Sequence, residues 1–233
     1  MHNKILNITN GEYFNEYFIS EFGGIAVPFC EAMMDGEAVT NIYSQQFVAL
    51  RAESLNVAEK EYRAKMYVYD ALKSNDWQTI CLWFGKDTFC QINLLTLLAY
   101  LEQIEYQGAL KLNYIDDETF EVLDADIDVE LGIYHKIYED VLISKIVPDD
   151  VGLLCSRTID LFFDYHSDNG KLAKLVRTNA HKEKPELISL LLKQSKDYGL
   201  SDLQAERLIN SNLSNIQTNR NCKGCYMIWE KNL

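Results

Sequence analysis

"TICLWFGKDTFCQINLLTLLAYL", residues 79–101, begins as a short apolar strand, breaks at an aspartate and continues as a long apolar helix. Residues 79–84 show little polar alternation, which is the pattern of a strand in a parallel sheet covered on both faces. Asp87 stands where the helix starts, and an aspartate there accepts N–H groups of the first turn. Thr88-x-x-Gln91 also has the form of a capping box. A strand passing through a tight turn into a helix is half of a βαβ unit, and the rest of the chain is read outward from it.

Upstream, "KILNIT" (4–9) reads as a strand closed by Asn10-Gly11. "EYFNEYFISEF" (12–22) spaces Phe14, Tyr17, Phe18 and Phe22 as a helix does, and Gly23-Gly24 stops it. "IAVPF" (25–29) is a second strand, "MMDGEA" (33–38) a turn, and 44–73 a long helical stretch with a break near Asn56. Downstream, "ALKLNY" (109–114) is a fourth strand. Strands alternating with helices predict an α/β fold: a short, mainly parallel, Rossmann-like sheet of about four strands. "IDDETFEVLDADIDVE" (115–130) reads as an acidic connector, followed by helices at 130–144, 149–167, 170–180, 185–198 and 201–211. The expected division is an α/β domain over 1–125 and a helical C-terminal domain over 126–233, with "YMIWE" (226–230) as a late strand.

The 233 residues are 48% hydrophobic and 12% aromatic, enough to enclose a core. With 35 acidic against 22 basic side chains, the net charge is −13, which opposes non-specific binding to nucleic acid or anionic membranes. One segment runs against this balance: "KLAKLVRTNAHKEK" (171–184) gathers Lys171, Lys174, Arg177, Lys182 and Lys184. It is read either as a phosphate-contacting face or as a partner for the acidic connector. No stretch reaches the roughly 20 apolar residues of a membrane span. The segment "MHNKILNITNG" carries one lysine and too short an apolar run for a secretory signal, so a cytoplasmic protein with reduced cysteines is expected.

In open parallel sheets, ligands bind outside the carboxyl ends of the strands, where helix N-termini present free N–H groups. Three strand ends here carry polar residues: Asn10-Gly11-Glu12, Asp35-Gly36, and Trp83 through Asp87 to Gln91. If they share one edge, they form a small-ligand site, with Arg51 orienting an anion and Trp83 as a wall. The expected ligand is a nucleotide or another phosphorylated metabolite, and no cofactor can be named. If the site is catalytic, Asp87 or Glu12 is the acid/base or metal-holding carboxylate. The competing reading makes Asp87 a helix cap, Gly11 and Gly36 turn residues, and the protein a non-catalytic interaction or regulatory module acting through its helical half. No metal site is expected. His2, His135, His166 and His181 share no ligand spacing, Cys222 and Cys225 form a lone C-x-x-C, and "DADIDVELG" (124–132) lacks the glycine and glutamate of a calcium loop.

"LNITNGE", "MMDGE" and "LWFGKDTFCQINLLTLLAYL" together resemble the bacterial family catalogued as domain of unknown function 1835. Its members show a strand ending in N-G-D and L-W-F-x-x-D-x-F-D-Q leading into a leucine-rich helix. The resemblance covers roughly residues 4–115 and is echoed by "YGLSDLQAERLI" (198–209). Three positions depart from the pattern: Glu12 stands for the usual Asp, Glu37 for the usual Pro, and Cys90 for a second Asp. The resemblance implies a domain and a candidate edge, not a reaction.

Overall fold

A computed structural model describes residues 4–73 and 76–213, so Cys222, Cys225 and the 226–230 stretch lie outside the described residues. The chain divides into two compact units, Met1–Ile159 and Asp160–Leu233.

The first unit is α/β. Strand β1 (Ile5–Asn10) leads into helix α1 (Glu12–Glu21) and returns in β2 (Ala26–Phe29). Helices α2 (Gln45–Leu55), α3 (Glu59–Arg63) and α4 (Tyr67–Leu72) precede β3 (Thr79–Phe84). Helix α5 (Thr88–Gln103) joins β3 to β4 (Ala109–Ile115), and a turn leads into β5 (Val122–Asp128). The sheet order is β2-β1-β3-β4-β5, with β1 to β4 parallel and β5 antiparallel. The α/β class and the mainly parallel sheet agree with the sequence, with a fifth strand added.

That fifth strand corrects the expected connector and the expected boundary at 125. Val122–Asp128 pairs with β4, Leu112 opposite Ile127 and Tyr114 opposite Asp124, so the sheet runs past the predicted division. Its acids find lysines on neighbouring elements of the same unit: Lys86 lies 2.6 Å from Asp124 and Lys111 2.7 Å from Asp128. Pro28 is tolerated because β2 is an edge strand, where a missing N–H leaves no ladder partner unpaired.

Helix α5 is the centre of the core. Every residue from Cys90 to Leu101 is buried, as in a helix enclosed on all sides. On β3, Ile80, Leu82 and Phe84 are fully buried, whereas Thr79, Cys81 and Trp83 are only half-buried. The expected two-sided cover is therefore incomplete. The second face is shielded by α1, whose Phe14 and Phe18 pack with Trp83, Ile115 and Phe120.

The long helical stretch breaks at Asn56, as expected, because Asn56 adopts the left-handed conformation at φ 55°. It breaks again between α3 and α4. The helix expected over 130–144 starts only at Tyr134, as α6 (Tyr134–Tyr138), and passes into a π-helical turn, Glu139–Ile143. Glu102 sets that start, accepting N–H groups of Gly132, Tyr134 and His135 at 2.5 to 2.9 Å. Residues 149–157 are irregular rather than helical.

Helix α7 (Thr158–His166) spans the division between the units. The second unit continues with α8 (Lys171–Thr178), α9 (Lys184–Gln194), a short 3-10 turn (Lys196–Tyr198) and a helix over 202–213. Asp164 ties it together, accepting from the Tyr198 hydroxyl at 2.6 Å and from the Lys171 backbone. Three of the cations of 171–184 meet partners inside this unit: Arg177 on Asn212 at 2.7 Å, Lys182 on Glu186 at 3.4 Å, and Lys184 on Glu206.

Candidate functional site

Strand order changes direction at β1, because β2 lies on one side of it and β3 on the other. The crevice outside the carboxyl ends of β1 and β3 is where this sheet type places its ligands. Asn10 ends β1, and Asp87 caps α5 just beyond β3. Asp87 accepts the Cys90 N–H at 2.9 Å, which satisfies one of the helix's orphan donors. The capping box is not formed in the expected way. Gln91 instead donates to the Gly85 carbonyl at 2.7 Å and accepts from the Cys155 N–H at 3.0 Å.

Asn10 and Asp87 do come together, and Cys90 joins them. The Asn10 amide reaches the Cys90 sulfur, while its oxygen accepts from Asn93 at 3.2 Å. Asn93 continues to the loop after β2, donating to the Glu31 carbonyl at 2.7 Å and accepting from Met33 N–H at 3.1 Å. Three strand ends are thus laced along one edge. Asn93, which the sequence reading missed, makes the link: it is a fully buried amide in a largely apolar helix. An amide within the leucine-rich run was the available signal.

A second missed residue completes the group. Asp117, on the turn between β4 and β5, lays its carboxyl over Gly85, where a Cβ would fall 1.8 Å from a carboxyl oxygen. Only glycine leaves that space. The residue as a whole is exposed, but the carboxyl turns inward. It accepts from the Cys90 thiol at 3.3 Å, and its carboxyl lies within 4.8 Å of that of Asp87. Burial first, and then the adjacent Asp87, push its pKa up to about 8. The Cys90 thiol is pushed well up by burial and by both acids.

Asp87, Cys90 and Asp117 bring three donor atoms within 4.8 Å of one another, the one such group among the described residues. A metal centre would require the thiolate, a form that burial and both acids oppose.

The other expected site residues have different work. Gly11 takes φ 88° at the start of α1, and a Cβ there would meet nothing within 4 Å, so the edge beside Asn10 is open. Glu12 is exposed and paired with Lys65 at 2.6 Å and Tyr67 at 3.2 Å; the Lys65 hydrogen bond draws its pKa below the ordinary value. Trp83 donates to Asn7 at 3.1 Å and packs on Phe18 and Phe22, so it belongs to the α1 interface rather than to a pocket wall.

Arg51 is fully buried. Its guanidinium donates to the carbonyls of Asp35 at 2.5 Å, Ala32 at 2.9 Å and Glu37 at 3.3 Å, and lies 3.9 Å from Glu31. It shapes the 32–37 loop from within and is placed as a scaffold, not as an exposed anion clamp. Asp35 enters this loop through its carbonyl, and Gly36 at φ 78° leaves room for Ser54 and the guanidinium.

No family model, no curated protein and no solved structure matches the chain.

Proposed function

We propose that the edge formed by the carboxyl ends of β1, β3 and β4 is a small-ligand site, centred on Asn10, Asp87, Cys90 and Asp117. The observation that carries this reading is the gathering of two carboxyl groups, an amide and a buried thiol from three separate segments at the sheet's switch point. A fold needs one N-cap at that helix; it has no need to press a second carboxyl against it. Like charges held close and out of water favour a ligand that brings positive charge or exchanges a proton there.

The ligand class remains the one the sequence suggested, a nucleotide or another phosphorylated metabolite, with one refinement. Arg51 is occupied by backbone carbonyls, so a phosphorylated ligand would reach this edge with a counter-cation rather than through that side chain. If the site is catalytic, Asp117 and Asp87 are the acid/base pair, because an acid near 8 can give and take a proton at neutral pH. Glu12, exposed and bound to Lys65, is displaced from that role.

The resemblance to the bacterial family of unknown function supports the same edge. Its L-W-F-x-x-D-x-F-x-Q pattern covers Leu82 to Gln91, the end of β3 and the start of α5. At position 90 the family pattern has an acid where this chain has a thiol, and Asp117 supplies the second acid from another loop.

The test is thermal stabilisation across a panel of metabolites, with and without magnesium, on the intact chain. Stabilisation by one class that is lost in Asp117→Asn and Asn10→Ala supports the reading. Stabilisation that survives both substitutions unchanged would place the ligand elsewhere.

A further inference from the structure

We propose that Asn93 is the positioning residue of this edge: it turns the Asn10 amide nitrogen toward Cys90 and the two acids around it, so that the site sets an N–H donor against carboxyl acceptors and takes the vicinal hydroxyls of a sugar. The inference rests on reading the edge as a ligand site, and it names the part of the ligand that enters there.

Two backbone groups decide how the amides lie. The Met33 N–H can only donate, and the Asn93 oxygen accepts it at 3.1 Å. The Asn93 nitrogen is therefore left for acceptors: the Glu31 carbonyl at 2.7 Å and the Asn10 oxygen at 3.2 Å. Turning this fully buried amide over would set N–H against N–H at Met33 and oxygen against oxygen at Glu31. Asn10 must then show Asn93 its oxygen, and its nitrogen faces the Cys90 sulfur. An amide nitrogen carries two N–H groups. One goes to that sulfur, and the other is left for a ligand on a half-buried residue.

The acceptors stand around the same cysteine. The Cys90 thiol donates to Asp117 at 3.3 Å, and Asp87 accepts the Cys90 N–H at 2.9 Å. A group entering between Asn10 and the acids has to accept on one side and donate on the other. A fully ionised phosphate only accepts and an ammonium only donates, whereas a hydroxyl does both. Two hydroxyls on adjacent carbons can meet the amide and a carboxyl at once. Three cations on surrounding elements are held elsewhere and do not draw a bare phosphate in: Arg51 by the carbonyls of Ala32, Asp35 and Glu37, Lys86 by Asp124 at 2.6 Å, and Lys65 by Glu12 at 2.6 Å. Gly11, where a Cβ would meet nothing within 4 Å, leaves room beside Asn10 for the rest of the ligand.

The experiment titrates the full-length chain with methyl ribofuranoside, its deoxy analogue lacking one hydroxyl of the vicinal pair, inorganic phosphate and acetamide. Proton–nitrogen NMR follows the Asn10 side-chain amide and the Cys90 backbone amide. The ribofuranoside should shift both signals saturably, the deoxy analogue should bind about tenfold more weakly for the loss of one hydrogen bond, and phosphate and acetamide should shift neither. Asn93→Asp, which accepts where asparagine donates, should reverse the Asn10 amide and level the two sugars. Asn10→Asp keeps the shape of a half-buried residue and removes the donor; it should abolish the Cys90 shift, and it carries the test if Asn93→Asp does not fold. Equal binding of the two sugars by the unmodified chain, a response to phosphate or acetamide but to neither sugar, no response at all, or sugar binding that survives Asn10→Asp overturns the inference. Should it fall while the metabolite panel still gives stabilisation that Asn10→Ala and Asp117→Asn remove, the ligand site stands with a different chemistry; a failed panel removes the site itself.

Discussion

Two polar clusters lie under the carboxyl ends of the strands, and they treat charge in opposite ways. Around Arg51, a cation and the Glu31 carboxyl are buried together, and the guanidinium is surrounded by three carbonyls. The Tyr62 hydroxyl donates to Glu31 at 2.7 Å, although burial still raises the Glu31 pKa. Around Asp117, two acids lie within 4.8 Å with no cation between them, and burial and the adjacent Asp87 push the Asp117 pKa up to about 8. Charges that compensate one another mark a scaffold. Two acids gathered without a cation are what the proposed ligand site is built on.

The largest break in this comparison should come from Arg51→Ala. It would leave Glu31 without its cation and three carbonyls without donors, at a cost of about 3 to 5 kcal/mol in urea denaturation. If the loss were under about 1 kcal/mol, the size of an exposed pair, the scaffold reading would fail. Gly36→Ala follows. A left-handed φ of 78° and a Cβ placed 2.5 Å from that of Ser54 predict a loss on the order of 2 kcal/mol.

The acid pair should instead show itself through pH. Asp117 ionises near 8 in the folded protein and near 3.9 in an unfolded chain. Between those values the folded state holds the extra proton. Its contribution to stability is therefore complete below about pH 4 and lost as the pH rises to about 8. Asp117→Asn should flatten that part of the stability profile, and Gly85→Ala, which displaces the carboxyl, should flatten it too. An unchanged slope in both would mean that the carboxyl is not held as described. The smallest effect belongs to the cap. Asp87→Ala should cost about 1 kcal/mol, whereas Asp87→Asn should cost only a few tenths at a pH where Asp117 is protonated. A large loss in the asparagine variant would show that charge, not capping, keeps Asp87 in place.

Much of the fold was legible residue by residue. The β3–α5 junction, the glycine stop after α1 and the break at Asn56 each follow from what neighbouring residues allow the backbone to do. Two of the site residues, Asn10 and Asp87, were legible as well, from their positions at strand ends. Arg51 was not, because exposed and buried arginines look alike when only their neighbours in sequence are known. Asp117 was hidden among the acids of 115–130, a stretch whose composition spoke for a linker. Val122–Asp128 became a strand because β4 offered a free edge, and Lys86 and Lys111 offset its acids.

The sequence by itself determined the order of elements from β1 to β4 and the cap at Asp87, because helix and strand periodicity and capping act over a few residues. Tertiary structure alone decided which polar groups meet. Strand pairing set Asp117 over Gly85, and helix packing enclosed Arg51 with Glu31. Those contacts join residues far apart in the chain, and burial, which no local pattern specifies, gives them their charge and their chemistry.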